Sequence, residues 1–568
     1  MSASEPTKLM ACAALLLAAN LAGAADERPA QLRAIEVRSE RGVVVAGHAA
    51  AAEAGARVLA EGGNAIDAAV VTALAMGSAD PASSGIGGQT YLLLHLRDGR
   101  DIAIDGSALV PLGLSRPQLQ ALAASSMVAG PRCAAAPGTL AALAHALERH
   151  GTVSLRRALE PAIEIAESGA TLPAFQVGFL ESYLAKLRAD PAMATIWLRS
   201  GFDPWDGGHR YCHDALAATL RRIAAGGARE FYAGGIAAEI DADMAARGGF
   251  LRRTDLALVR AVERKPERVR YRDVEVVTFP APGGGPALSG ALAILAEFPP
   301  ALAGGEGTDS AFLRAEVCRV AMLDADAAAL HPLAGGPNRA QARARAARIR
   351  LDRVIPENEL NAPGTLLPWD RDTTHLSVAD AEGNVVSLTQ TIGRSFGAAT
   401  ATVGLGFPYN SVLEAGATLD DARAAVVRPG GAVRTTMAPT IVLRDGRPWL
   451  ALGGVGSGRI VPSIVEVLTR VVDAGAPLIG AMAAPRVLWG HETPRKIYAE
   501  MVPPVTGELV DDLVRRGFTD AYRLRYPGDP INVAALGGVN ALLVEPRTGL
   551  SIGVADPRRD GAACAPPR

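Results

Sequence analysis

The chain has 568 residues, enough for a large buried core and for about three or four ordinary domains or one composite domain. Lys and Arg number 57 against 59 Asp and Glu, so no excess of either sign marks a nucleic-acid, anionic-membrane or acidic partner. Aromatic residues make up only 4 % while Ala and Gly abound, which speaks against an aromatic-lined carbohydrate or nucleic-acid groove and leaves the chemistry to be sought in a local site.

The chain opens with Lys8, an apolar stretch over 9–21 and the small residues Ala22-Gly23-Ala24, the pattern of a secretory signal over 1–24 with a mature start near Ala25. The stretch is shorter than the ~20 apolar residues that cross a bilayer, so a secreted or periplasmic protein without a stable membrane span is expected. Cys12 lacks the preceding apolar run of a lipidated cysteine. After signal removal Cys133, Cys212, Cys318 and Cys564 remain, too widely spaced for a zinc pattern but even in number, and three disulfide pairings are open to them. A strand is predicted over 43–46 and a helix over 49–60, stopped by Gly62-Gly63, with Asn64 capping a second helix to about Met76 and Asp67 in its first turn. A Ser- and Gly-rich loop over 81–88 precedes strands over 91–96 and 102–105. The segment 137–350 reads as mostly helical, broken by a strand over 274–279 and a loop over 280–286. Gly283, Gly284 and Gly285 fail the dinucleotide spacing, and no Gly-Lys-Ser/Thr follows them. A basic helix over 340–350 reads as a solvated face, and 356–368 has the composition of a linker.

Residues 373–380 and 384–392 then alternate with the period of strands, joined by Ala381-Glu382-Gly383. The register of such a hairpin pairs Ser377 with Ser387, His375 with Thr389 and Thr373 with Thr391. Opposed residues hold their Cβ atoms about 5 Å apart, so two threonine hydroxyls are expected to meet. A threonine needs a base to become a nucleophile, and an N-terminal threonine supplies its own as the α-amine, whose ordinary pKa of about 7.7–8 suits neutral working pH. Freeing that amine requires cleavage of Asp372-Thr373, which the same hydroxyl can begin by attacking the preceding carbonyl. The alternative on these residues alone is an ordinary Thr-rich strand pair.

Seven segments, in order, resemble the γ-glutamyltransferase family of N-terminal nucleophile hydrolases. They are Glu61-Gly62-Gly63-Asn64-Ala65-Ile66-Asp67-Ala68-Ala69, Ser83-Ser84-Gly85-Ile86-Gly87-Gly88, Pro137-Gly138-Thr139, Thr373-Thr374-His375-Leu376-Ser377-Val378, Asp380-Ala381-Glu382-Gly383-Asn384-Val385-Val386-Ser387, Met437-Ala438-Pro439-Thr440-Ile441-Val442 and Asp556-Pro557-Arg558-Arg559. The resemblance runs from about Arg41 to Gly561. It implies an α+β fold, a four-layer αββα sandwich made by two autoprocessed fragments, 25–372 and 373–568, as one composite domain and a heterodimer of the chain's own pieces. It makes Thr373 the nucleophile and Thr391 its supporting threonine. In Gly453-Gly454-Val455-Gly456-Ser457-Gly458-Arg459 it assigns the oxyanion amides to Gly456 and Ser457, since a backbone amide survives a change from glycine to serine.

The resemblance breaks at the acyl pocket. Where the family holds a glutamyl α-carboxylate with an arginine, this chain has Ser107, and where it holds the α-amine it has Gly393 and the pair Glu414-Ala415. A hydroxyl pair is kept as Thr435-Thr436, and Arg394 and Arg434 stand near the gaps in sequence. His375 reads as a packed strand histidine more than a base. With no His-Glu-x-x-His or similar spacing, neither metal nor cofactor is implied. The expected activity is an amidohydrolase or acyltransferase acting on a small-molecule amide or peptide, with a γ-glutamyl or related acyl group. An amidase for a non-glutamyl acyl group and an unprocessed binding protein are the alternatives.

Overall fold

Strands whose apolar residues alternate between two faces build two sheets of seven strands, antiparallel throughout. The computed structural model describes residues 35–115, 117–118, 129–172, 174–204, 210–330, 339–360, 371–413, 428–490, 493–524 and 536–567. One sheet runs Ile35–Ser39, Ser551–Ala555, Val539–Val544, Arg447–Gly454, Thr440–Arg444, Val274–Thr278, Glu267–Tyr271. The other runs Ala562–Cys564, Gly42–Ala46, Arg371–Asp380, Val385–Arg394, Gln89–His95, Asp101–Gly106, Val262–Arg264.

The two-residue period decides what each face meets. In the second sheet Val43, Val45, Tyr91 and Leu93 point toward the first and share a core with its Val276, Ile441 and Leu452. The intervening Val44, Leu92 and Leu94 point the other way, into a core made with the helices Ala49–Ala60, Ala65–Ala79 and Thr139–His150. The first sheet is covered by Gly285–Leu295, Thr308–Leu330 and Ile460–Val472. Full burial of one such Val or Leu is worth about 1.5–3 kcal/mol, so the alternation itself fixes which way each strand faces.

The expected start of the helix at Asn64 is found with a complete capping box. Asn64 Oδ1 accepts from the amides of Ile66 and Asp67, and the Asp67 carboxylate accepts from Asn64 N at 2.9 Å. The same carboxylate also takes Thr152 N and Oγ1, tying the cap to the next layer.

Three expectations are corrected. The stretch read as helical up to residue 273 also contains the strands Val262–Arg264 and Glu267–Tyr271. These are edge strands rich in charge, whose exposed residues hide the apolar alternation. No disulfide pairing of the four cysteines forms, because Cys212, Cys318 and Cys564 all carry free thiols. The hairpin keeps the expected pairs Ser377–Ser387 and His375–Thr389, but its register shifts between Asp372 and Thr374, so Thr373 does not face Thr391 and Asp372 stands opposite Gly393. The signal over 1–24, most of the linker, Glu414 and Ala415 lie outside the described residues. Among the described residues no helix is long and apolar enough to cross a membrane.

Candidate active site

The bulge at Thr373 brings two hydroxyls to one carbonyl. Thr373 Oγ1 donates to the Asp372 carbonyl oxygen at 2.6 Å, and Thr391 Oγ1 donates to the same oxygen at 2.5 Å. Thr391 Oγ1 in turn accepts from Gly393 N at 2.8 Å, which turns its proton toward Asp372. A regular pairing would have set the threonines side by side. The extra residue instead folds Thr373 back over its own preceding peptide bond.

Asp372 is held on all sides. Its Oδ1 accepts from Thr373 N at 2.8 Å and from Arg559 Nη1 at 2.9 Å, while Oδ2 accepts from Ser83 Oγ at 2.7 Å. Ser83 comes from the Ser- and Gly-rich loop and Arg559 from the C-terminal Asp-Pro-Arg-Arg, so segments far apart in sequence converge on one peptide bond. Asp80 is buried beside this group, and its burial first, then the Asp372 carboxylate, hold its carboxyl well above the usual range and favour the protonated form. Neither Ser83 nor Arg559 nor Asp80 was singled out for a role from sequence. For Ser83 and Arg559 the signal lay in motifs whose residues have no chemistry until the fold brings them to Asp372, and Asp80 lies outside every motif.

The pocket over Thr373 is lined by Gln89, Asp372, Thr391, Gly393, Val412, Arg434, Thr435, Thr436 and Ser457. Ser457 begins the short 3-10 turn that leads into the helix Ile460–Val472, so its end of the pocket carries the positive pole of a helix. Gly456, just before it, has φ +101°, and Ser457 itself has φ +59°. Thr436 Oγ1 donates to Ser457 O at 2.9 Å and so braces this turn, whereas Thr435 Oγ1 accepts from Met437 N at 3.2 Å and keeps its proton. Of the hydroxyl pair, Thr435 alone therefore offers a donor to the pocket.

Of the sequence-proposed pocket positions, Ser107 is placed otherwise and Gly393 lines the pocket. Ser107 is not among the pocket residues. Its hydroxyl is committed to Asp105 Oδ1 at 2.6 Å and Tyr91 OH at 2.9 Å, with Arg264 on the other oxygen of Asp105. Gly393 lines the pocket with φ +96°, and a Cβ there would stand 2.5 Å from Ser411 Oγ, so the space that a side chain would use is filled. Arg434 edges the pocket and pairs with Asp326, while Arg394 is buried outside it. His375 is buried between the sheets, with Nδ1 on Thr389 Oγ1 at 2.8 Å and Nε2 on Ser377 Oγ at 3.1 Å, and burial pushes its pKa down to about 3. It is a neutral packing residue. Gln89 is a lining residue that sequence reasoning passed over, because nothing in a strand start marks a lone glutamine.

A sequence model of the family described as gamma-glutamyltranspeptidase matches residues 51–565. The chain is similar to the acylase ACY 1 proenzyme of Pseudomonas sp. (strain V22), 33% identical over 544 residues that span 92% of this chain and 93% of that protein. It is also similar to the glutathione hydrolase proenzyme of Escherichia coli (strain K12), 29% identical over 561 residues, 92% of this chain and 91% of that one. Among solved structures, the cephalosporin acylase from Bacillus halodurans superposes with a TM-score of 0.82 at 24% identity, over 95% of this chain and 98% of that one, a likeness of mixed α/β fold. With its motifs meeting at one peptide bond and relatives matched over nearly their whole length, the chain belongs to the gamma-glutamyltranspeptidase family and is an amidohydrolase or acyltransferase of that kind.

Proposed function

We propose that the chain is made as a precursor, cleaves itself between Asp372 and Thr373, and then uses Thr373 as the nucleophile of an amide hydrolase or acyltransferase. The observation that carries this reading is the convergence of the Thr373 and Thr391 hydroxyls on the Asp372 carbonyl oxygen. Attack of Thr373 Oγ1 on the Asp372 carbonyl carbon transfers the acyl group from nitrogen to oxygen, and water then hydrolyses the ester. The freed α-amine of Thr373 becomes the base that takes the hydroxyl proton when a substrate amide arrives. Thr391 polarises the carbonyl during cleavage and orients the nucleophile afterwards. The amides of Gly456 and Ser457 receive the oxyanion, an arrangement whose single donors are commonly worth about 2.7–4 kcal/mol of barrier.

On this reading residues 25–372 and 373–568 form the two fragments of one four-layer αββα sandwich, exported by the signal over 1–24. The relatives carry two kinds of name, acylase and glutathione hydrolase. The pocket favours the first. A glutamyl zwitterion needs a partner for each charge, and leaving one unpaired in a closed site costs about 1–3 kcal/mol or more. Ser107 is turned away and Gly393 has no room for a side chain. We therefore assign a non-glutamyl acyl amide as the preferred substrate, with γ-glutamyl amides weak. The test is to quench matured protein during turnover of an acyl anilide and digest it. A mass increase equal to the acyl group on the peptide beginning at Thr373 is expected, and turnover with an acyl group on any other residue refutes the assignment.

A further inference from the structure

Gln89 begins the strand Gln89–His95 and pairs with Thr391 across the sheet, which puts its side chain beside the supporting threonine on the face that carries Thr373. The residue is 1% exposed, so its amide is not a surface group. Its orientation is determined: Oε1 accepts from Ala108 N at 3.2 Å, a role that only the oxygen of a carboxamide can fill. The amide nitrogen is thereby turned away from Ala108, and among the described residues Nε2 has no acceptor. An NH2 group at a pocket wall without a protein partner is free to donate to an acceptor on whatever enters.

The neighbouring groups have the same polarity. Thr435 keeps its hydroxyl proton, and Arg434 brings a guanidinium to the rim. The carboxylate among the described lining residues, Asp372, is occupied by Arg559, Ser83 and Thr373 N. Among the described lining residues the acyl pocket thus presents donors and no unengaged anion.

We propose that Gln89 is a specificity-determining residue of this site, its Nε2 donating to a carbonyl or carboxylate oxygen that the acyl group carries beyond the scissile carbonyl. The inference rests on the reading of Thr373 as nucleophile and goes beyond it by naming the group that selects the acyl chain. Acyl groups ending in an acceptor are favoured, neutral chains come next, and chains ending in an ammonium are rejected.

Three anilides of one chain length test this on matured, active-site-titrated enzyme: glutaryl, pentanoyl and 5-aminopentanoyl. Gln89→Glu keeps an oxygen for Ala108 N and exchanges the donor for an anion. The ratio of kcat/KM for glutaryl over 5-aminopentanoyl anilide should fall by about 10- to 100-fold in Gln89→Glu, the size of one hydrogen bond to a charged group. Gln89→Met, which removes the donor without adding charge, should bring the glutaryl and pentanoyl rates together, and it supplies the comparison if Gln89→Glu does not mature. An equal loss on all three anilides, or ratios unchanged within about twofold, would show a purely structural glutamine and overturn the proposal while the nucleophile assignment stands. Wild-type protein that stays uncut and hydrolyses none of the three would overturn both.

Discussion

At the scale of single residues the site is a matter of which proton points where. Thr391 accepts a backbone N–H from Gly393 and donates its own O–H to the Asp372 carbonyl oxygen, so a residue read from sequence as a lost anchor holds the Thr391 hydroxyl in place. The presence of two threonine hydroxyls near one bond was legible from the hairpin, because strand period and turn length set the register. The bulge that lets both reach one oxygen was not, since nothing in Asp-Thr-Thr-His announces an extra residue in a ladder. His375 stands on the same strand and is the natural rival for the role of base. Its burial holds it neutral, with a pKa of about 3, so it cannot titrate in the working range. On the proposed reading the freed α-amine of Thr373 must be uncharged to accept a proton, so activity is expected above its pKa and is expected to be lost as the pH falls through it. The expected kcat/KM profile of matured enzyme therefore has one acidic limb, near the ordinary amine value of about 7.7–8. An acidic limb that belongs to an imidazole, and that disappears in His375→Asn, would contradict this assignment.

At the scale of elements, the turn that starts the helix Ile460–Val472 carries visible strain. Ser457 adopts φ +59°, a region that costs a residue with a Cβ roughly 1–2 kcal/mol, and its buried Oγ has no hydrogen-bond partner among the described residues. The backbone amide is the functional part on our reading, and glycine retains it without the strain or the orphaned hydroxyl. Ser457→Gly should therefore raise thermal stability by about 1 kcal/mol and leave maturation intact. A melting temperature that falls in this variant would mean that the serine side chain supports the turn in a way the present contacts do not contain. The glycine-rich run before it has a packing reason of its own: a Cβ at Gly453 would stand 2.3 Å from the His375 ring. Close approach between sheets is invisible in a sequence, which is why this packing role of the run could not be read there.

At the scale of the whole molecule, the layers were legible where periodicity is strong and obscured where charge interrupts it. The capped helix pair and the central hairpin follow from apolar spacing, cap residues and a Gly turn. The edge strands at 262–271 escaped because their outward residues are Glu and Arg. The seven motif segments could be recognised but not assembled, and the structure supplies the reason for three of them: Ser83, Arg559 and the amide of Thr373 all meet the Asp372 carboxylate in one buried group at the bond between the two proposed fragments. Mass spectrometry of the purified full-length chain, run beside Thr373→Ala and Thr391→Ala, tests the account most directly. It predicts two fragments for the wild type, the smaller beginning at Thr373, an intact Thr373→Ala chain, and a Thr391→Ala chain whose cleavage is slowed about tenfold or more. A folded wild-type chain that remains whole, or is cut at another bond, would contradict it.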